Sequence, residues 1–415
     1  MMIQAMNWHP QILEEAGITY EAVNQLNEQL ETYLDIYSKC YVRSEQRTHG
    51  ENYVKGLLSE LERKSIEPIA LQFAAPSNVR SLQNFAQTGS WDDERMLCIY
   101  QTRLSLSLSD KDGMYTVDGS DFPKKGNESA GVARQYCGAL GKTENCQAGV
   151  FIGYCSIKGY GLIDKQLYLP EKWHGEDYKE RWDKCGIPKG TDFKTKPELA
   201  SEMLKSIAAS GKFPARWVGV DSAFGRDKAF LDAIPEGMYY FADVPVNTLG
   251  FSEKPTVAIP AYSGKGRRDL KPKPAFAPVS VADIAAANGD KWSRVCLGEG
   301  AKGPIMADEM ILRVFDCREG LPGSCLWLYV RRLSDGTLKF SLSNAPYDTS
   351  LETLRSLATR RWTIEQCFEE CKLYLGMDHY EGRSWNAWHR HMLFVFIAHL
   401  FVLELRLSLK KTYPF

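Results

Sequence analysis

Two short apolar runs, far apart in the chain, end in the same way. Met114-Tyr-Thr-Val-Asp118 and Arg216-Trp-Val-Gly-Val-Asp221 each read as a β-strand that stops at a carboxylate. Between them lie two further strand-like runs, Ala148–Ile157 and Tyr160–Leu169, then a helix from Lys196 to about Ser210 with Pro197 at an early helical position. After Asp221 come a short helix, Asp227–Ile234, with Asp227 placed to cap it, and a fifth strand, Tyr239–Val244. Three consecutive strands followed by two that helices separate predict an α/β sheet. In open sheets of that kind, chemistry collects at the carboxyl ends of strands. Asp121 lies three residues beyond Asp118 and reads as a cap, because Asp118 ends the apolar run directly.

The flanks differ in texture. Residues 1 to about 100 carry apolar residues at helical spacing, clearest over Tyr20–Tyr41 and Asn52–Leu61. Residues 246–345 break the strand–helix alternation with strand-like runs at Trp292–Leu297, Ile305–Val314, Cys325–Arg331 and Thr337–Ser343. A helical pattern follows from Leu351 to about Leu375, and a second from about Trp385 to Leu409. The expected domains are therefore 1–100, 101–245, 246–345 and 346–415. The longest apolar stretch, Met392–Leu405, contains His399 and Glu404. A membrane span needs about 20 residues, so this stretch predicts a buried helix.

Charge balance hides local contrast. The chain has 51 Lys plus Arg against 52 Asp plus Glu, which argues against a uniformly basic coat. Residues 1–42 carry one Lys and six carboxylates, whereas Ser252–Pro278 carries six basic groups and two acidic ones. The latter holds Lys265, Arg267, Arg268, Lys271 and Lys273 between prolines that oppose regular pairing, so it predicts an exposed arm for phosphate contact. Lys124, Lys125 and Arg134 read equally as solvated loop or as DNA-backbone contacts. The eleven cysteines are scattered, with no C-x-x-C and no cysteine–histidine run at zinc spacing. With an N-terminus that lacks a basic, apolar leader, this predicts free thiols and a cytoplasmic protein.

The helix predicted over 351–375 holds Arg361, Glu365 and Lys372 in an R-x3-E-x6-K pattern. On one continuous helix these share a face, and Ile364, Phe368, Cys371 and Leu375 form the apolar one. Glu369 and Glu370 read as helix-surface acids. Asp on the first strand, Asp after the fourth and Glu on a late helix follow one another at separations of 103 and 144 residues. With V-D-G-S-D-F-P-K-K-G at 117–126, V-G-V-D-S-A-F-G at 218–225 and R-R-W-T-I-E-Q-C-F-E-E-C-K at 360–372, the chain resembles the DDE transposases of bacterial insertion sequences, the cut-and-paste type with a Y-R-E-K signature. The resemblance spans about 114–411. Ala358 stands where that signature has its tyrosine.

The resemblance implies an RNase H-like mixed five-stranded sheet with helices on both faces, interrupted by a β-rich insertion and preceded by a helical DNA-binding domain. It implies Asp118, Asp221 and Glu365 as catalytic metal ligands for two Mg²⁺ ions, with Mn²⁺ able to substitute, and Asp118 as the bridge between them. Arg361 and Lys372 would hold DNA phosphates. Hairpin-forming relatives stack a flipped base on an insertion-domain aromatic, for which Phe340 and Trp327 are the candidates. The implied partners are double-stranded transposon ends and target DNA, with a homodimer to pair two ends. No membrane or nucleotide cofactor is implied: Gly138-Ala-Leu-Gly-Lys142-Thr143 lacks the first glycine of a phosphate-binding loop, having Tyr136 there, and reads as a strand connection. Of His379, His389, His391 and His399, the last reads as a hydrogen-bonded core residue. The competing expectations are a metal-dependent DNA nuclease without strand transfer and a catalytically silent DNA-binding derivative.

Overall fold

The computed structural model describes residues 20–261, 270–300, 303–333 and 335–412. It divides into two compact units: the described parts of Met1–Ser109, Gly119–Met203 and Ile364–Phe415 form one, and Asp110–Asp118 with Leu204–Thr363 form the other.

The first unit opens with helices α1 (Tyr20–Asp35), α2 (Ser44–Leu57), α3 (Ile66–Phe73), α4 (Val79–Gln87) and α5 (Asp93–Leu108). Strand β1 (Met114–Pro123) contributes its second half here, beside β3 (Lys142–Ser156), which pairs antiparallel with β2 (Ala133–Cys137) and β4 (Gly159–Leu167). Strand β2 is too polar to announce itself in the sequence. Its turn into β3 is the Gly138–Thr143 segment, where Gly141 takes φ +63°, a conformation that favours glycine. Helix α6 (Lys179–Cys185) and most of α7 (Lys196–Ser210) follow.

The N-terminal helices do not stand apart from the rest of this unit. The C-terminal helix, Trp385–Thr412, packs against α2, α4, α5 and β4. It is long and apolar enough to cross a membrane, yet it serves as the core of this unit. Phe394 stacks on Tyr53 with ring centroids 4.9 Å apart and meets Trp91 at 5.4 Å, while Trp91 stacks on Phe85 at 5.3 Å. Each such ring pair contributes about 0.5–1.5 kcal/mol beyond its area burial. Two of its charged residues are paired: Glu404 receives Arg103 in a two-pronged pair at 2.8 Å, and Arg390 lies 3.3 Å from Asp93.

The second unit is built on a large mixed sheet. Its strands run β1 (Met114–Asp118 here), β5 (Trp217–Val220), β6 (Tyr239–Val244), β14 (Leu338–Ser343), β13 (Leu321–Arg332), β12 (Gly303–Arg318), β7 (Leu249–Phe251) and β10 (Val279–Ser280), with β11 (Ser293–Gly300) also on β12. β1, β5 and β6 are parallel; the rest pair antiparallel. The β-rich insertion therefore continues this sheet, because Phe340–Ser343 of β14 pairs with Phe241–Val244 and covers the edge that β6 would otherwise expose. Within the supposedly unpaired arm, β8 (Val257–Ala258) pairs antiparallel with β9 (Lys273–Pro274). Pro274 and Pro255 thus flank or join a short pairing, not an extended coil.

Short helices α8 (Ser222–Gly225), α9 (Lys228–Asp232) and α10 (Val281–Ala286) punctuate this unit. The long helix expected over 351–375 is two: α11 (Leu351–Arg361) and α12 (Thr363–Leu375). At the break the Trp362 amide bonds to Thr359 O, one residue short of helical spacing, and the Thr363 hydroxyl donates to Arg360 O at 2.7 Å. Trp385–Thr412 is α13.

Candidate active site

Register places the site's first acids. Val117 of β1 pairs with Val220 of β5, and Val220 pairs with Ala242 of β6. The next residues on these three neighbouring parallel strands are Asp118, Asp221 and Asp243. Adjacent strands lie about 4.8 Å apart, so three carboxylates line up at one end of the sheet. The strand-end pattern in the sequence identified the first two. Asp243 was missed because its strand continues one residue further, to Val244. The expected stop at Asp118 is also corrected: β1 runs on to Pro123, and only β5 ends at its acid.

Each acid is differently engaged. Asp221 is the N-cap of α8 and accepts the amides of Ala223 and Phe224 at 3.0 and 3.2 Å. Burial raises its pKa; the two amides and Arg361 oppose that rise, and Asp243 adds to it. Gly225 is required at the end of this turn, because a Cβ there would sit 2.0 Å from Asp243 O. Asp243 accepts the Ser341 hydroxyl at 2.6 Å, and its carboxylate lies 3.0 Å from Arg361 Nε and 3.8 Å from Arg331. Asp118 is partly exposed. Asp121 is not a local cap: it accepts Gly138 N, 17 residues on, at 2.7 Å, whereas Asp227 caps α9 through Phe230 N at 2.9 Å.

Arg361 ends α11 and is only 7% exposed. Its stem crosses β5 at Gly219, where an added Cβ would meet Arg361 Cγ at 3.1 Å. The expected phosphate contact thus becomes a buried ion pair with Asp243, and the one-face geometry of R-x3-E-x6-K is corrected by the break at Trp362. Glu365 stands in the first turn of α12, partly exposed, and Lys372 follows on the same helix over the Phe368 ring at 6.0 Å. Both belong to the first unit, whereas Asp118, Asp221, Asp243 and Arg361 belong to the second.

The remaining candidates scatter. Phe340 is 3% exposed in the core of the sheet and presents no face to a base. Trp327 donates to Pro346 O at 3.1 Å, and the Arg313 guanidinium lies 4.4 Å from its ring centre. The exposed ring beside it is Tyr347, stacked at 6.3 Å, which carried no motif. Lys124 donates to Tyr380 O and lies over the Tyr380 ring; burial lowers its pKa to about 8. Lys125 and Arg134 are exposed, as are Lys271 and Lys273, while Lys265, Arg267 and Arg268 lie outside the described residues. His399 is buried as expected. Glu370 is no surface acid: it is half-buried and engages Tyr160, His399 and Arg406.

The chain belongs to the DDE superfamily endonucleases, whose family model matches residues 30–304. That match contains Asp118, Asp221 and Asp243 and stops short of Glu365. A probable transposase for insertion sequence element IS701 from Microchaete diplosiphon is 28% identical over 182 residues. The similarity covers 44% of this chain and 44% of that relative.

Proposed function

We propose that this chain is an insertion-sequence transposase that cuts and joins DNA at the strand-end aspartates. The observation that carries the reading is the register of β1 and β5, which sets Asp118 and Asp221 side by side in a DDE superfamily endonuclease. The order of strands supports an RNase H-like arrangement. In one unit β3 pairs antiparallel with β2 and β4; in the other β1, β5 and β6 run parallel in that order, β5 and β6 each following a helix.

The donor set suits a hard divalent cation: carboxylate oxygens, with Asp221 buried enough that its charge lacks full compensation. Asp118 and Asp221 would hold it, and Glu365 is the third ligand on its motif position alone. Two Mg²⁺ ions bound there would stabilise the attacking and leaving oxygens of an in-line displacement. In the first step a water oxygen bonds to phosphorus as the bond to the 3′ oxygen breaks, and that oxygen leaves protonated. The freed 3′-OH then attacks a second phosphodiester, exchanging one P–O bond for another with no outside energy source. Arg361 becomes a positioning residue through Asp243. Lys372, Lys125, Arg134, Lys271 and Lys273 remain for phosphates, and DNA affinity should fall with salt. Two transposon ends processed together call for a two-fold dimer.

Asp221→Ala should abolish Mg²⁺-dependent cleavage of a terminal-repeat duplex while leaving its binding largely intact. Full cleavage by that variant would sink the assignment. Joining assays with precleaved ends separate a transposase from a nuclease that only hydrolyses.

A further inference from the structure

The first unit contains a second cluster of ligand-type side chains, unrelated to the strand-end acids. Cys367 and Cys371 lie one turn apart on α12 and present both sulfurs to one side. His399 comes from α13. Its Nε2 and the two Sγ atoms all lie within 4.8 Å of one another, and the three residues are 1%, 0% and 5% exposed. The helix spacing Cys-x3-Cys and a histidine 28 residues further on make no familiar zinc motif. Helix packing, not sequence proximity, assembles the set.

We infer that Cys367, Cys371, His399 and Glu370 form a binding site for one thiophilic divalent cation, with zinc the best chemical match. Cys367 Sγ is 3.8 Å from His399 Nε2. Tetrahedral zinc, with bonds of about 2.3 Å to sulfur and 2.05 Å to nitrogen, needs about 3.6 Å between those atoms. Glu370 Oε2 is 3.0 Å from the same Nε2, against about 3.4 Å in such a site. The imidazole nitrogen and both sulfurs thus lie close enough to share one ion, and Glu370, which adjoins the imidazole, completes the set by turning its carboxylate toward the sulfurs. The outer groups fit as well. The other carboxylate oxygen of Glu370 accepts the Tyr160 hydroxyl at 2.9 Å and lies 3.4 Å from Arg406, the kind of support that orients a metal ligand. Two thiolates and a carboxylate around a dication leave one negative charge, which Arg406 balances.

The chemistry separates this site from the strand-end acids. Thiolate and imidazole select zinc over magnesium, and carboxylate oxygens do the reverse. Its mechanical consequence is specific: the ion would pin α12, whose first turn carries Glu365 two residues before Cys367, onto the core helix α13. The proposal does not depend on the transposase reading, since its readout is metal content.

The test uses the full chain expressed in zinc-supplemented medium, dialysed with excess Mg²⁺, and analysed for metal. About one zinc per chain is expected, with near-complete loss in Cys367→Ser/Cys371→Ser and full retention in a Cys98→Ser control. Should the double variant not fold, cobalt substitution of the unaltered chain decides: a thiolate-to-cobalt charge-transfer band in the near-ultraviolet is expected. Folded, zinc-free protein that also lacks that band would overturn the site and leave a buried thiolate–imidazolium pair in its place. Zinc retained by a folded double variant would overturn it equally.

Discussion

The strand-end acids and the cysteine–histidine cluster differ in how the chain builds them. Asp118, Asp221 and Asp243 are aligned by β-ladder register, a repeating local geometry that carries a residue of one strand to the same level as its partner on the next. Cys367, Cys371, His399 and Glu370 meet because two helices pack, and nothing in their spacing announces the meeting. The first set offers oxygen at a partly exposed sheet end. The second offers sulfur and nitrogen in a sealed core. Ligand hardness and exposure thus separate along the same line as the mode of assembly, and an experiment that affects one set should leave the chemistry of the other recognisable.

The largest expected effect falls on the oxygen set. Asp118→Asn should lower cleavage more than about 10³-fold, which is about 4 kcal/mol of barrier, with the melting temperature held within a few degrees; a loss explained by unfolding alone would break the comparison. Next comes the ladder that aligns it. Phe340→Ala should cost about 3–5 kcal/mol in urea denaturation, as a cavity in the core does, and DNA binding corrected for folded fraction should not change. Retained stability with weakened DNA binding would instead restore the stacking role for Phe340.

A smaller effect is expected at the ion pair. Arg361→Met takes from Asp243 the cation 3.0 Å away, leaving Ser341 and the more distant Arg331, at a cost of about 3 kcal/mol. Asp243→Asn on that background should recover much of it. Simple additivity in the double-mutant cycle would show that the two residues do not act together.

The smallest expected effect is on pH. Burial holds the Asp221 carboxyl of the metal-free chain above the ordinary aspartate range, so on acidification the ionised form that can take Mg²⁺ is lost at a higher pH, and the acid limb of cleavage at limiting Mg²⁺ should reflect that loss. Asp243 contributes to that rise through its negative charge. Asp243→Asn should therefore move the acid limb to lower pH, and Arg361→Met, which removes an opposing positive charge, should move it higher. A limb that moves the same way in both variants would disprove the electrostatic link.

Much of this molecule could be read before its structure was known. The helices at 196–210 and 385–412, the strand at 239–244, the cap Asp227 and the aspartate that ends β5 all follow from apolar periodicity or from a side chain's reach to nearby amides. The errors also have physical reasons. Strand β2 is polar because it is short and lies partly in solvent. The 351–375 helix breaks at Trp362, since hydrogen bonds three residues back are nearly as accessible as those four back. Glu370 looks like a surface acid on any helical wheel, yet Tyr160, His399 and Arg406 come from elsewhere in the chain to surround it.

By itself, then, the sequence determined that a strand ends at Asp221 and which residues carry oxygen-ligand chemistry, because these depend on the alternation of neighbours along a few residues; that β1 runs on past Asp118 to Pro123 was not legible in it. Only the tertiary structure decided three other matters. The insertion joins the sheet through β6 and β14, Arg361 turns inward to Asp243, and two cysteines, a histidine and a glutamate converge in one core. Each rests on contacts between residues distant in the chain, and in the last two it is complementarity of charge and shape across packed surfaces, not local propensity, that selects the partner.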